Sequence, residues 1–448
     1  MISSSLNQHI EITTHKDKRV LSLFSGCGGM DLGFEGGFTV LNDSINPKIN
    51  PHWITKQLDE HWSILKQTQF KTVFANDIRP DAQIAWQRYF SKKDISPEIY
   101  HLESIVDLVK KYKNRELNPF PSNIDIVTGG FPCQDFSIAG KRQGFNSNKS
   151  HMGLSADIEE PSIESRGQLY MWMREVISIT KPKVFVAENV KGLVNLGDVK
   201  EIIENDFRNI CENGYLVIPA RVLHAAKFGV PQSRERVIFY GFRKDALSKQ
   251  ALAELSKEYI SEEFDPYPKE THFLPISSNS NNDHLIEFVS VKKALVGLTE
   301  PHESEDLAHS SFSKAKYMGK HCQGQTEVNL SGIGPTIRSE HHGNIEFRRL
   351  SHENGGRYIN ELSRGLVQRR LTVRECARIQ TFPDDYEFVW RKSKDNKGLS
   401  ASNAYKIIGN AVPPLLGYHI AKRLEDNWEK YFQEVGILKS EKILSERI

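Results

Sequence analysis

Cys133 lies in Gly129-Gly130-Phe131-Pro132-Cys133-Gln134-Asp135-Phe136-Ser137, directly after the apolar run Ile124 to Val127. This pattern predicts a strand that delivers a thiol into a glycine-rich turn stiffened by proline. A thiol at neutral pH is only a few per cent thiolate, yet that fraction is intrinsically very nucleophilic. Backbone amides in the turn would lower its pKa. A free cysteine can also be a small apolar filler; Pro132 and Gln134 beside it at a strand end favour the nucleophile. A carboxylate ends another apolar run in Glu188-Asn189-Val190. The carboxyl ends of buried strands are where α/β sheets place ligands. Further on, Gln232-Ser233-Arg234-Glu235-Arg236 sets two arginines at alternate positions. On an extended chain both would face one side and could clamp an anionic or carbonyl-rich ligand. The same run also reads as a solvated charge cluster.

A second set of residues suits ligand binding. Phe24-Ser25-Gly26-Cys27-Gly28-Gly29 follows one strand-like run and precedes a helical one. Glycines there allow close approach to the backbone, at a helix start whose amides can hold a carboxylate. The pattern is neither G-x-G-x-x-G nor a Walker loop with its lysine, which argues against NAD and ATP. Asp77 ends the next strand, where an acidic residue can bond ribose hydroxyls, and Ile78 beside it could pack on an adenine. Alone, Asp77 also fits a simple turn cap.

These residues must be held by alternating strands and helices. Arg19 to Phe24, Lys71 to Ala75, Ile124 to Thr128, Val184 to Ala187 and Val237 to Phe242 read as strands, and Arg166 to Thr180 carries helical spacing. Such alternation predicts a mostly parallel sheet with helices on both faces. From Arg243 to about Gly365 the chain is polar and weakly periodic, which predicts a second, smaller, irregular and partly β domain. Pattern returns at Leu371, where Thr372 and Glu375 suit a capping box, and Pro413-Pro414 suits another helix start. Thr39 to Phe70 has no clear period. Lys141 to Ser165 is a long Ser, Asn and Gly-rich loop beside the thiol, and Gly140, Gly144 and Gly153 would let it move over a ligand.

The 448 residues suggest more than one domain. A formal net charge of +2 does not announce a nucleic-acid binder, so any basic surface must be local. The five scattered cysteines form no CxxC pair, and no spacing suggests a metal site. They fit a reducing, cytoplasmic setting. No secretory h-region and no membrane-length apolar run stands out. Between His321 and Trp390 there is no lysine but nine arginines: Arg338, Arg348, Arg349, Arg357, Arg364, Arg369, Arg370, Arg374 and Arg378. Because guanidinium forks fit phosphate and guanine edges, this imbalance predicts nucleic-acid contact, with His341-His342 and Asn344 nearby.

In this order, the motifs resemble those of the C5-cytosine DNA methyltransferases common in bacterial restriction–modification systems. The resemblance rests on the four motifs above together with Arg370-Leu371-Thr372-Val373-Arg374-Glu375 and Gly409-Asn410-Ala411-Val412-Pro413. It spans Val20 to about Gly241 and Leu366 to Ile420. It implies a Rossmann-like S-adenosylmethionine-dependent fold, with residues 1–242 and 366–448 catalytic and 243–365 recognising the target. Cys133 would be the nucleophile, with Gln134 beside it. Glu188 would meet the cytosine N3 edge and Arg236 its carbonyl, with Arg234 in the same motif. Phe24, Ser25, Gly26, Gly28, Gly29, Asp77, Ile78, Asn410 and Ala411 would line the S-adenosyl-L-methionine site. Either Glu103 or Ser104, before Ile105, stands where the family carries an acidic residue for the adenine.

The implied substrate is a flipped cytosine in double-stranded DNA and the implied by-product is S-adenosyl-L-homocysteine, with no metal. A monomer is implied, and there is room for a companion restriction endonuclease acting on the same site. The family's tRNA-methylating branch carries a Cys-Phe-Thr tripeptide that is absent here. A DNA-binding homologue without catalysis would not need the intact Pro-Cys-Gln and Glu-Asn-Val motifs.

Overall fold

Seven short runs rich in Val, Ile, Leu, Phe and Tyr pair into one sheet. In the computed structural model, which describes residues 17–132, 169–274, 283–339, 344–391 and 398–432, they are β1 (Lys18–Leu23), β2 (Phe70–Asp77), β3 (Tyr100–Leu102), β4 (Ile126–Gly129), β5 (Val184–Val190), β6 (Tyr215–His224) and β7 (Glu235–Arg243). Their order is β3-β2-β1-β4-β5-β7-β6. β7 runs antiparallel to β5 and β6, and every other pairing is parallel. The order reverses between β1 and β4, so a crevice opens at the carboxyl edge beside them. Cys133, Gln134, the loop from Lys141 to Ser165 and His341-His342 lie outside the described residues.

Side chains alternate across the sheet, as the two-residue period of a strand requires. Val20, Val186, Ile238 and Tyr240 enter one hydrophobic cluster, which includes Leu32 and Phe34 of α1 (Gly29–Glu35). Leu21, Val127, Phe185 and Phe239 enter the other. There they meet Val106 of α3 (Ile105–Lys113), Met173 of α4 (Leu169–Thr180) and Phe207 of α5 (Val199–Arg208). The remaining crossover helix is α2 (Pro80–Phe90). Late in the chain come α6 (Val373–Ile379), α7 (Ala401–Asn410) and α8 (Pro414–Asp426). Thr372 and Glu375 form the expected capping box at the start of α6. α8 packs on α1 so closely that a Cβ on Gly33 would lie 2.6 Å from the backbone of Gly417.

Two segments differ from their sequence reading. Thr39 to Phe70 is not aperiodic coil: Thr39–Leu41, Ile54–Gln57 and Trp62–Leu65 form a small antiparallel sheet. Ile54–Gln57 is exposed on both faces, which erases the alternation that would reveal a strand. This insert ties distant parts together. Asn46 donates to the carbonyls of Thr271 (2.9 Å) and His284 (2.6 Å), and Trp62 lies under the Arg378 guanidinium. β6 carries no clear strand signal in the sequence, because Pro219 and a half-exposed edge break its pattern. The described residues between 243 and 365 are irregular as expected, with short helices and strand pairs of two or three residues. Ala251, Leu255, Phe264 and Tyr267 nevertheless enter the same cluster as Val20.

The arginine run corrects a further expectation. Arg349, Arg369, Arg370, Arg374 and Arg378 are buried. Arg349 and Arg369 share Glu300, and Arg369 also grips Glu375. Arg374 pairs with Asp306 and Arg378 with Asp384. Arg338 and Arg348 pair with Glu346 and Glu361. Arg370 donates to the carbonyls of Ala315 (2.8 Å), Lys316 (3.0 Å), Gly324 (2.8 Å) and Ile345. A region poor in regular structure leaves many carbonyls unpaired, and one guanidinium offers five donors in a fixed fork. Most of the run therefore builds the interior, while Arg357 and Arg364 face solvent. Arg370→Lys, which removes most of those donors, should lower unfolding free energy in denaturant melts by about 2–4 kcal/mol. Exposed Arg364→Lys should stay within about 0.5 kcal/mol.

Candidate active site

Antiparallel pairing of β5 and β7 sets Ile238 opposite Glu188 and Arg236 opposite Val190. On this shared face the Arg236 Nε lies 2.6 Å from the Glu188 Oε1, and both side chains are nearly buried. A Cβ on Gly130, three residues before Cys133, would lie 2.9 Å from the Glu188 Oε2. Asn189 donates to the Phe131 carbonyl (3.2 Å), fastening the start of the thiol turn to the end of β5. Glu188, Arg236 and the approach to Cys133 thus converge at one point of the crevice. The described chain stops at Pro132, one residue short of the thiol.

Arg234 does not join Arg236. It is 1% exposed and donates to the carbonyls of Ile337 (3.1 Å) and Gly409 (3.0 Å). Strand β7 begins only at Glu235, so strict alternation does not extend back to Arg234. Gln232 is also interior, donating to Gln380 and accepting from the Ile337 amide. Both tie the entry of β7 to the segment around residue 337.

The predicted ligand loop sits at the carboxyl ends of β1 to β3. Phe24, Gly26 and Gly28 adopt φ of 52°, 53° and 78°. The Gly26 amide donates to the Asp77 Oδ2 (2.9 Å), and the Tyr100 hydroxyl to the Gly26 carbonyl (2.9 Å). Asp77 is partly open to solvent but walled by protein. Burial pushes its carboxyl up, against the amides of Arg79 and Gly26. Ile78 is 39% exposed beside it. Ser25 bonds inward to Ser22. Gly29 is pressed against the far segment: a Cβ there would lie 2.2 Å from the Val412 carbonyl and 3.1 Å from the Ala411 Cβ. Asn410 next to it is exposed. Ser104 caps α3 through the Val106 amide, Ile105 is buried, and Glu103 pairs with Lys111.

An acceptor carboxylate, an exposed aliphatic side chain and a positive-φ loop suit a ligand with a ribose and an apolar ring. No group of three or more His, Cys, Asp or Glu is placed to hold a metal among the described residues, and none of their helices is long and apolar enough to cross a membrane. The sequence reading did not single out Asn76, Tyr100 or Asp31. Only Asn76 carries a signal, a polar residue at the end of an apolar run; Tyr100 opens its strand and Asp31 lies within α1.

Asp31 is fully enclosed under the loop, accepting from Ser22 Oγ (2.5 Å) and Trp86 Nε1 (2.7 Å). Burial raises its pKa from 3.8 to about 6. A carboxyl raised in the folded state stabilises the fold below its unfolded pKa. That contribution is lost as pH climbs through about 6. Relative to Asp31→Asn, the native chain should lose about 2 kcal/mol of stability between pH 4 and 7, read as the difference between two sets of denaturant melts.

A family model for C-5 cytosine-specific DNA methylases matches residues 62–426. The Type II methyltransferase M.BspRI of Lysinibacillus sphaericus is 31% identical over 435 residues, covering 95% of this chain and 85% of that protein. The Type II methyltransferase M.BsuRI of Bacillus subtilis is 30% identical, covering 91% and 79%. Among solved structures, the S. pombe Dnmt2 methyltransferase superposes with a TM-score of 0.52 at 18% identity, covering 91% of this chain and 98% of that one. The fold is thus shared with known methyltransferases, and the chain belongs to the C-5 cytosine-specific DNA methylase family.

Proposed function

We propose that the chain transfers a methyl group from S-adenosylmethionine to carbon 5 of a cytosine flipped out of a short specific site in duplex DNA. The observation that carries this reading is the buried Glu188–Arg236 pair beside Gly130, at the mouth of the turn that leads to Cys133. Carbon 5 of an aromatic cytosine is a poor nucleophile. The Cys133 thiolate adds at carbon 6, the ring loses aromaticity, and carbon 5 becomes enamine-like. Glu188 delivers a proton to N3, which neutralises the negative charge developing there, while Arg236 holds the carboxylate left behind and the ring carbonyl. When bound, S-adenosylmethionine supplies an electrophilic methyl group on a sulfonium. Asp77 would hold its ribose hydroxyls, Ile78 and Phe24 would flank its adenine, and Asn410 and Ala411 would close the side facing Gly29. A water takes the carbon 5 proton, Cys133 leaves as thiolate as the C5–C6 double bond re-forms, and N3 returns its proton to Glu188.

A stacked base is out of reach of these groups, so the cytosine must leave the helix at a cost of a few kcal/mol. Residues 243–365 read the target, and residues 1–242 with 366–448 hold the methyl donor and the catalytic groups. Arg357 and Arg364, both exposed, would meet phosphate. The enzyme acts as a monomer in the cytoplasm and protects host DNA from a companion endonuclease that cuts the same site.

The test is methyl transfer from a labelled donor to duplex DNA or to tRNA. Label should enter duplex cytosines only, Cys133→Ser should give none, and Glu188→Gln should slow transfer by about 10²–10⁴-fold. A 5-fluorocytosine duplex with the donor should become covalently attached at Cys133. Label in tRNA alone, or equal transfer by Cys133→Ser, would overturn the assignment.

A further inference from the structure

A parallel ladder must stop where a ligand crevice begins, and the last strand residues then have amides and carbonyls without a neighbouring strand. At the ends of β1, β2 and β3 these groups are taken up by a continuous line of polar groups, buried except at half-buried Ser25. It starts at Trp86 in α2, whose Nε1 donates to Asp31 in α1. Ser22, at the fifth position of β1, donates to the other Asp31 oxygen. Ser25 in the loop donates to the Ser22 hydroxyl (2.9 Å). The Asn76 amide donates in turn to the Ser25 Oγ (3.1 Å), and the Ser25 amide to the Asn76 carbonyl (2.8 Å). The Ser25 hydroxyl therefore stands where a strand carbonyl would be. Finally the Asn76 Nδ2 donates to the carbonyls of His101 (3.0 Å) and Glu103 (2.7 Å). Pairing of β2 with β3 ends at Asp77 and Leu102, so the Asn76 side chain carries the tie past the last rung.

Several residues proposed to touch the methyl donor adjoin this line, whereas Asn410 and Ala411 approach from the far segment. Gly26 follows Ser25, Asp77 follows Asn76, and Glu103 presents its own carbonyl to it. Ser22 and Asn76 are 2% and 1% exposed, so neither reaches the ligand directly.

We infer that Asn76, supported by Ser22, is a positioning residue that sets the affinity for S-adenosylmethionine by locking the carboxyl ends of β1, β2 and β3 in register. This inference rests on the methyl-donor reading above. Removing the Asn76 side-chain amide takes the Nδ2 donor from the His101 and Glu103 carbonyls and frees the β3 end to shift relative to Asp77. A small displacement of a contact residue is enough to weaken a preorganised site.

The full-length protein would be titrated with S-adenosylmethionine and with S-adenosylhomocysteine by calorimetry, alongside steady-state methylation of duplex DNA and thermal melting. Asn76→Ala should weaken both ligands about tenfold, the equivalent of about one hydrogen bond, and raise KM for the methyl donor to match. DNA affinity and KM for DNA should not change. Asn76→Asp, which keeps the shape but cannot donate, should behave like Asn76→Ala. Should Asn76→Ala not fold, Ser22→Ala reads the same line, with about threefold weaker donor binding expected from a partial loss. Native donor affinity in Asn76→Asp or in Ser22→Ala overturns the inference. So does a loss of donor and DNA binding in parallel with a lower melting temperature. A native protein that binds neither ligand instead overturns the methyl-donor reading itself.

Discussion

The site depends on one reversed strand. Glu188 leaves β5 at the carboxyl edge of the sheet, and Arg236 can meet it there only because β7 enters at that same edge. Had β7 run parallel like its neighbours, its second residue would have lain at the far edge, a strand length away. Two charges held largely out of water each carry a desolvation cost of several kcal/mol. Their attraction at 2.6 Å offsets that cost only when both are held in place. The two hydrogen-bonded strands provide this rigidity, and neither side chain could hold the geometry from a loop. The pair is therefore a product of topology first and of local sequence second.

The entry to β7 is anchored on its other side as well. The Ser233 amide donates to the Gly334 carbonyl, and the Ile337 amide to Gln232. Arg234 links Ile337 to Gly409, whose Cα is packed against Arg338 and Ser339. Segment 334–339 is part of the irregular region, and Asn410 is one residue past Gly409. A shift of any one of these three segments is thus felt by Arg236, two residues beyond Arg234. The Gln-x-Arg-x-Arg motif divides its work: its first two long side chains fasten the scaffold, and only the last faces the crevice.

Much of this was legible in the sequence. Five strands, the capping box at Thr372 and the helix after Pro413 followed from apolar runs and terminus chemistry. The motif order placed Glu188, Arg236, the Phe24 loop and Asp77 at one edge. What failed had identifiable causes. Arg234 was read by alternation, but the strand begins one residue later and burial decided its partners. The arginine run was read by the chemistry of guanidinium and phosphate, yet the same fork suits carbonyls and carboxylates inside a domain with little regular structure. Composition cannot separate these outcomes, because the distinction is whether a carboxylate such as Glu300 or Asp384 arrives from a distant part of the chain. The insert was unreadable because its exposed strand has no buried face to impose a period.

Motif residues are usually read as ligand contacts, and the geometry argues for a broader view. A crevice requires the sheet to end, and its ends leave backbone groups that water would otherwise flood. Ser25, Asn76, Asn189 and Arg234 all bond to backbone at such ends, each joining segments remote in sequence. Hydrophobic burial cannot do this work, because it is non-directional and would fill the space the ligand needs. Short polar side chains can, since each fixes a distance and an angle without occupying the opening. The spacing of these residues therefore reflects where strands must stop as much as what the site must bind. That is why their neighbours Gly26, Asp77 and Glu188 are free to face the crevice.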